Sequence, residues 1–238
     1  RSGGVPPRHG RSAGRPAART SSEPGAADLA ARRGACSPPA GMRIFSVSGH
    51  VRRPGIYECP INVSMRELIF EHADGMRDGR RLKAVIPGGS SVPVLTEQHL
   101  DTRMDFESLA TAGSMAGSGG VIVMDETTCM VRVGEVVSRF YHHESCGQCT
   151  QCREGTAWLH KTLRRIEEGR GRKADLDLLL DICDNMKSKT ICPLSDAAAM
   201  PIESYLKYFR DEFEQHIADR ACPFEAQVVA SARPLDAS

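Results

Sequence analysis

Apolar and polar residues alternate where the well-patterned part of the chain begins, at Met42. The segment RIFSVSGHV predicts a half-buried strand, and GIYECPI predicts a second one. NVSMRELIFEHA then has helical spacing, with Asn62 or Ser64 as its N-cap. The apolar runs LKAVIPGG and GGVIVMD, bounded by glycines, predict two further strands. This order of elements predicts a compact α+β unit of the β-grasp kind.

After Asp125 the apolar residues recur with the period of a helix. Four such stretches joined by short connections predict a four-helix bundle. The expected inward faces are Met130, Val133, Val136, Val137 and Phe140; Trp158, Leu159, Leu163 and Ile166; Leu176, Leu179, Leu180, Cys183 and Met186; Ile202, Leu206, Phe209, Phe213 and Ile217. We expect the second helix to begin near Arg153, and the last helix to be capped by Ser195 with Pro201 in its first turn.

Composition separates the two ends of the chain from its middle. Residues 1–41 are rich in Gly, Pro, Ala and Arg and poor in aliphatic side chains, so we expect a disordered or foreign segment there. Residues 221–238 are expected to form a flexible tail. The α+β unit is therefore assigned to residues 42–125 and the helical unit to residues 126–220.

Charge and hydropathy argue against several classes of function. The formal net charge is +1, and no aromatic residues are interleaved with the arginines of residues 1–41, so nothing favours nucleic-acid binding. No run of about 18 uncharged apolar residues predicts a membrane-spanning helix. The chain has nine cysteines and no apolar stretch typical of a secretion signal, which favours an intracellular metal site over disulfides.

Three of the cysteines lie in the stretch CGQCTQC, at Cys146, Cys149 and Cys152. With this spacing one loop can supply three thiolates to a [4Fe–4S] cluster, whose fourth thiolate often comes from a distant part of the chain. Zinc sites more often use two separated pairs of ligands. The spacing therefore favours iron–sulfur, and a zinc-stabilised interaction module without redox activity is the alternative from another class.

The fourth ligand has to come from the other cysteines. Cys192 is the best candidate, because it lies between two predicted helices and is followed by proline, as in bacterial ferredoxins. Cys183 is the reserve, although its place on an apolar stripe predicts a buried core residue. The others fall in the terminal segments, in a strand, or a full helix length from the triplet. They are Cys36, Cys59, Cys129 and Cys222.

Both predicted ligand segments run into the N-terminus of a helix. Helix dipoles and free amides there would stabilise the negative charge of a cluster, and Arg153, Lys187 and Lys189 would add to this effect. His142 and His143 precede the triplet. We interpret them as solvated residues near a helix end and not as ligands.

The segments HHESCGQCTQCREGTAWLHKTL, KTICPLSDAAAMPIESYLKYFRDEFEQHI and FSVSGHVRRPGIYE closely resemble the NADH-binding flavoprotein subunit of respiratory complex I, which in bacteria is the F-type subunit of NADH-quinone oxidoreductase. The resemblance covers about residues 43–218. It implies a β-grasp soluble-ligand-binding domain followed by a helical bundle that holds one [4Fe–4S] cluster. It also implies Cys146, Cys149, Cys152 and Cys192 as the ligands of that cluster.

The resemblance further implies a place in an electron-transfer chain. In this family NADH reduces FMN, and the cluster then passes single electrons toward further clusters and quinone. The expected partners are the adjacent [2Fe–2S] subunit and the large multi-cluster subunit, on the cytoplasmic face of the membrane or on the matrix side in mitochondria. A close alternative is the diaphorase subunit of a soluble NAD-linked hydrogenase or formate dehydrogenase.

The chain also departs from the family pattern. We do not recognise the flavin- and NADH-binding domain, so we expect a C-terminal fragment that holds a cluster and does not oxidise NADH alone. Residues 193–195 read Pro-Leu-Ser where the family usually has Ala-Leu-Gly, and Gln151 stands where it usually has Pro. Neither change removes a ligand, but the first alters the loop around Cys192.

Overall fold

A five-stranded mixed sheet forms the first half of the described chain. The computed structural model describes residues 41–224, so the predictions for residues 1–40 and 225–238 lie outside it. The strands are β1 (Met42–Gly49), β2 (Gly55–Pro60), β3 (Leu82–Ile86), β4 (Leu95–Thr96) and β5 (Gly120–Asp125). Their order is β2-β1-β5-β3-β4. Strands β1 and β5 are parallel, and the other neighbours are antiparallel.

Two short helices accompany the sheet, and four longer helices follow it. Helix α1 (Met65–Glu67) continues as a π-helical turn at Leu68–His72, and α2 is Phe106–Thr111. The longer helices are α3 (Met130–Glu144), α4 (Thr150–Glu167), α5 (Ala174–Met186) and α6 (Leu194–Asp219). Single 3-10 turns lie at Arg77–Gly79 and Glu97–His99. Among the described helices, none combines the length and the apolar character that crossing a membrane requires.

Both faces of the sheet pack against helices. Along β5, Val121 and Val123 belong to the hydrophobic cluster that includes α1 and α2. Ile122 and Met124 contact the second cluster, which the sheet forms with the four longer helices. This alternation follows from the pleat of the strand. Helix α3 packs on α4 and α6, and α5 packs on the same two helices. The predicted combination of a mixed sheet with several helices is confirmed.

The buried face of α3 differs from the predicted stripe. Val136 and Phe140 are 44% and 50% exposed, whereas Tyr141 is buried. The face toward α4 and α6 contains Gly134, where a Cβ would lie 3.5 Å from Leu163. A pattern of hydrophobic residues gives no weight to glycine. The prediction therefore rotated the buried face away from this close helix contact.

The start of α4 and the position of its tryptophan were also predicted wrongly. The helix begins at Thr150, three residues before Arg153, because the triplet itself forms its N-terminus. Trp158 is 53% exposed, although Leu159 and Leu163 beside it on the predicted stripe are fully buried. The indole therefore lies at the edge of the face that packs against the other helices.

Helix α6 begins earlier than predicted. Pro193 is its N-cap residue, so Ser195 lies inside the first turn and is not the cap. Pro201 consequently lies in the helix interior and not in its first turn. At Phe209 the backbone leaves the helical region, with φ of −133° and ψ of 26°, so that the helix is kinked there.

Asp125 ends β5 with a fully buried carboxylate. The carboxylate accepts hydrogen bonds from the hydroxyl of Thr127 at 2.7 Å and from its amide at 3.0 Å. It also pairs with Arg80 at 3.1 Å and lies 3.1 Å from His50 Nδ1. Burial by itself raises the pKa of Asp125, but the hydrogen bonds from Thr127 and Arg80 outweigh it and hold the pKa below its usual value.

Replacing Asp125 by Asn should lower the free energy of unfolding at neutral pH by about 2–3 kcal/mol, because buried charge-assisted hydrogen bonds are lost. The folded-state pKa of Asp125 is lower than the unfolded value of about 3.9. The contribution is therefore complete above that pH and is lost as pH falls through the folded-state pKa. Urea unfolding of wild type and variant, from neutral to acidic pH, measures both effects.

The control for this experiment is Asp101→Asn, which removes an exposed carboxylate that pairs with Arg66. It should leave the unfolding midpoint unchanged, because exposed ion pairs contribute little. A loss in the control as large as that in Asp125→Asn would contradict the assignment, and so would a pH-independent loss in Asp125→Asn.

Candidate metal centre

The cysteine triplet lies in the connection between α3 and α4. Cys146 is exposed, Cys149 is half-buried as the N-cap residue of α4, and Cys152 is buried in the first turn of that helix. Gly147 has a φ of +79°, which lets the loop turn between the first two cysteines. His142 and His143 before it are exposed, as predicted. Three thiols thus lie at increasing depth around one helix N-terminus.

Cys192 lies in the connection between α5 and α6, and this connection contacts the triplet. Cys192 is exposed and directly precedes Pro193, the N-cap of α6. The amide of Ile191 donates a hydrogen bond to Cys149 Sγ over 3.5 Å. Two segments far apart in the sequence therefore meet at the N-termini of two packed helices.

Cys183, the reserve candidate, lies in the core of α5. Its thiol is fully buried and donates a hydrogen bond to the carbonyl of Ala199 at 3.6 Å. Burial raises the pKa of this thiol above its usual value. These are the properties of a small core side chain, which its place on the apolar stripe predicted.

A buried junction around Met186 holds the two cysteine connections together. The Ser195 hydroxyl donates to the Met186 carbonyl at 3.1 Å and shares a hydrogen bond of 2.5 Å with the Thr190 hydroxyl. The Met186 side chain packs against Gly155 of α4, where a Cβ would lie 2.5 Å from Met186 Cγ. Only a residue without a side chain allows this approach. The last turn of α5 is thereby fixed to both α4 and α6.

The three cations that the sequence placed near the triplet have different surroundings. The Arg153 guanidinium donates to the carbonyl of Gly147 at 2.6 Å, within the triplet loop. Lys187 pairs with Glu203 at 2.5 Å, and this hydrogen bond raises the pKa of Lys187. Lys189 donates to a backbone carbonyl of α5. Since Glu203 balances the charge of Lys187, Arg153 is the cation best placed to act on the triplet.

The N-termini of α4 and α6 add positive potential at this junction. Neither helix has a side-chain hydrogen bond at its N-cap residue, Cys149 or Pro193. First-turn amides without such a cap are donors for anionic groups, and the helix dipole favours negative charge at the same end. The junction can therefore accommodate the charge of several thiolates.

The donor set fits a multi-iron cluster better than a single ion. Ligand atoms around one tetrahedral ion lie within about 4 Å of one another. Within residues 41–224, the side chains that satisfy a limit of 4.8 Å form a different group, which does not include Cys146, Cys149, Cys152 or Cys192. In a cubane each thiolate binds a separate iron, so its thiolates are spaced more widely.

That different group was not predicted from the sequence. It consists of Cys129, Glu167, His216 and Cys222. Its members lie at the ends of three helices, so only the packing of the helices brings them together. The one local signal is HIADRAC, where a histidine and a cysteine lie six positions apart.

Two family descriptions match the chain. Residues 132–216 match the NADH-ubiquinone oxidoreductase-F iron-sulfur binding region, and residues 43–123 match the SLBB domain. The second of the F-type NADH-quinone oxidoreductase subunits of Rhizobium meliloti is 52% identical over 184 residues, which are 77% of this chain and 44% of that relative. The chain belongs to the family of F-type NADH-quinone oxidoreductase subunits. The F-type subunit of Streptomyces coelicolor is likewise 52% identical over 185 residues, 78% of this chain and 41% of the relative.

Solved structures of an NAD+-reducing [NiFe]-hydrogenase resemble this F-type subunit. The air-oxidized crystal structure matches with a TM-score of 0.65 and 28% identity, over 80% of this chain and 33% of that chain. The H2-reduced structure matches with a TM-score of 0.65 and 27% identity, over 82% and 34%. The chain spans less than half the length of the two F-type relatives.

Replacing Ser195 by Ala should lower the free energy of unfolding by about 1–3 kcal/mol, because the Thr190 hydroxyl and the Met186 carbonyl lose a buried partner. Denaturant unfolding measures the change. Ser46→Ala, at an exposed position of β1, is the matched control and should have no effect. Equal stability of Ser195→Ala and wild type would contradict the role given to this junction.

Proposed function

We propose that Cys146, Cys149, Cys152 and Cys192 hold a [4Fe–4S] cluster. The observation that carries the proposal is the hydrogen bond from the Ile191 amide to Cys149 Sγ, which joins the two cysteine connections. The iron–sulfur family match over residues 132–216 contains all four cysteines and supports the same assignment. When bound, such a cluster accepts and passes one electron at a time.

The residues around the cysteines have separate tasks in this proposal. The four thiolates bind the irons, and the buried position of Cys152 keeps water from one side of the centre. The first-turn amides of α4 and α6 stabilise the negative charge that increases on reduction. Arg153 holds the triplet loop through the Gly147 carbonyl and adds a positive charge beside it.

In the whole protein, we assign this centre to the electron path from NADH through FMN to quinone. The name that the relatives share, which describes them as F-type subunits of NADH-quinone oxidoreductase, supports this activity. We assign residues 42–125 to a β-grasp soluble-ligand-binding domain and residues 126–220 to a four-helix bundle, in accord with the two family matches. The protein would act at the inner face of the membrane, as part of a membrane-associated complex.

The proposed partners are a [2Fe–2S] subunit and a large multi-cluster subunit. Electron transfer to another protein requires the cluster to lie near an exposed surface that the partner covers. Ile191, next to Cys192, is 85% exposed, and Trp158 and Leu178 form an apolar groove with Gln151 at the start of α4. Exposed apolar residues beside the cysteines support protein docking at this surface.

A diaphorase subunit of a soluble hydrogenase or formate dehydrogenase is the second candidate function. The structural match to an NAD+-reducing [NiFe]-hydrogenase favours it. The identity of 52% to quinone-linked relatives, against 28% to the hydrogenase chain, favours the first candidate. Copurified subunits separate the two, because one complex contains quinone-reductase subunits and the other contains a hydrogenase or formate dehydrogenase subunit.

After anaerobic reconstitution, the wild-type chain should contain about four irons and four sulfides and absorb broadly near about 400 nm. Cys192→Ser should lose this cluster, because one iron lacks its thiolate. Cys183→Ser is the matched control and should keep the iron content, with a cost in stability only. One zinc ion without sulfide in the wild type would contradict the iron–sulfur proposal. Loss of the cluster in Cys183→Ser together with its retention in Cys192→Ser would contradict the ligand assignment.

Arg153→Ala should make the reduction potential of the cluster more negative by about 20–60 mV, since a positive charge near the added electron is removed and 59 mV is a tenfold change for one electron. A redox titration followed by electron paramagnetic resonance measures the shift. Arg153→Lys should recover most of it. Arg164→Ala, at the C-terminal end of α4, is the control and should leave the potential unchanged. An unchanged potential in Arg153→Ala would remove Arg153 from the account.

A further inference from the structure

A second group of metal-binding side chains lies apart from the cysteine triplet. Cys129, Glu167, His216 and Cys222 place one ligand atom each within 4.8 Å of all the others. Cys129 Sγ lies 3.3 Å from His216 Nε2 and 3.7 Å from Glu167 Oε2. His216 Nε2 lies 3.5 Å from the same carboxylate oxygen. Three of the ligand atoms thus form a triangle with edges of similar length.

These edges match the geometry of a tetrahedral ion. With bonds of about 2.0–2.3 Å to nitrogen, oxygen and sulfur, the ligand atoms around tetrahedral zinc are separated by about 3.3–3.8 Å. The three measured edges span 3.3 to 3.7 Å. The half-buried thiol of Cys222 supplies a fourth donor beside this triangle.

The imidazole of His216 is oriented as a metal ligand. It is fully buried, and Nδ1 lies 2.7 Å from the carbonyl of Glu212, to which it donates its proton. This hydrogen bond leaves the lone pair of Nε2 directed toward Cys129 and Glu167. Donation from the second ring nitrogen to a carbonyl is the usual arrangement in metal-bound histidines.

The backbone around the group is specialised to bring Cys222 close. Arg220 ends α6 in the left-handed region, with φ of +53°, and turns the chain back toward α4. Gly169, two residues after Glu167, has φ of +70°, and a Cβ there would overlap the Arg220 carbonyl oxygen. The turns that follow α4 and α6 therefore touch, and this contact places Cys222 beside Glu167.

The charges around the group suit a divalent cation. Two thiolates and one carboxylate carry three negative charges, which a divalent ion reduces to one. Arg132 Nη1 lies 3.9 Å from Glu167 Oε1 and offsets the remaining charge, and the Arg132 amide donates to Cys129 Sγ at 3.3 Å. In the absence of an ion, burial raises the pKa of the Cys129 thiol, whereas a bound ion favours the thiolate.

We propose that Cys129, Glu167, His216 and Cys222 bind one zinc ion in a closed, structural site. Two thiolates, an imidazole and a carboxylate are ligands that zinc accepts, and four protein ligands leave no open position for a substrate. The ion connects the first residue before α3 with the last residue of α4 and the end of α6. It fixes the C-terminal end of α6 to the helices that carry the cysteine triplet.

Metal analysis of the holoprotein tests this site separately from the proposed cluster. The protein, purified anaerobically with its iron and sulfide in place, should contain about one zinc ion per chain by mass spectrometry. Cys222→Ser should lose the zinc while the visible absorption of the cluster remains. Cys222→His should keep the zinc, because imidazole replaces the thiolate as a ligand. Cys59→Ser, at a buried cysteine of β2, is the control and should keep both metals.

Retention of the iron absorption and of the helical circular dichroism shows that a variant is folded. Wild-type protein without zinc, which also takes none up from added zinc, would overturn the proposal. Unchanged zinc in Cys222→Ser would overturn it too, and so would a disulfide between Cys129 and Cys222 found by alkylation and mass spectrometry. Cobalt replacement should add thiolate-to-metal absorption in wild type and lose it in Cys222→Ser; equal spectra would contradict the ligand set.

Discussion

The contact between Gly155 of α4 and Met186 at the end of α5 is the constraint on which the cysteine centre depends. A side chain at Gly155 would occupy the space of the Met186 side chain, so only glycine lets α5 end this close to α4. The Met186 carbonyl then accepts the hydroxyl of Ser195 in the first turn of α6. One methionine therefore sets the distance between the N-termini of α4 and α6, and with it the distance between the triplet and Cys192.

This arrangement joins stability to electron transfer. The cysteines lie at helix N-termini, where amides and dipoles favour negative charge, and the triplet extends from an exposed to a buried thiol. A cluster held there is insulated by the helices on one side and accessible to a partner on the other, beside the exposed Ile191. The sheet supports the helices from below their packed face, through contacts such as the Val94 amide with the Ser204 hydroxyl.

Short-range patterns predicted most elements, and long-range packing accounts for the failures. Strands β1, β2, β3 and β5 follow alternation, whereas β4 with two residues and α2 with six are too short to establish a period. The predicted face of α3 was wrong because Gly134 allows a contact that hydrophobicity does not record. The triplet was visible because its spacing is local. The group around His216 was not, because three helix ends have to meet before its ligands become neighbours.

The central claim is that these two connections hold one four-iron cluster through four cysteine thiolates. Mössbauer spectroscopy of the chain reconstituted with the Mössbauer isotope of iron tests it most directly, because the isomer shift and quadrupole splitting report the ligands and valence of every iron. The account predicts four irons, all with tetrahedral sulfur coordination and valences delocalised within one cubane. Two ferric irons of a binuclear cluster, or iron with nitrogen and oxygen ligands, would contradict it.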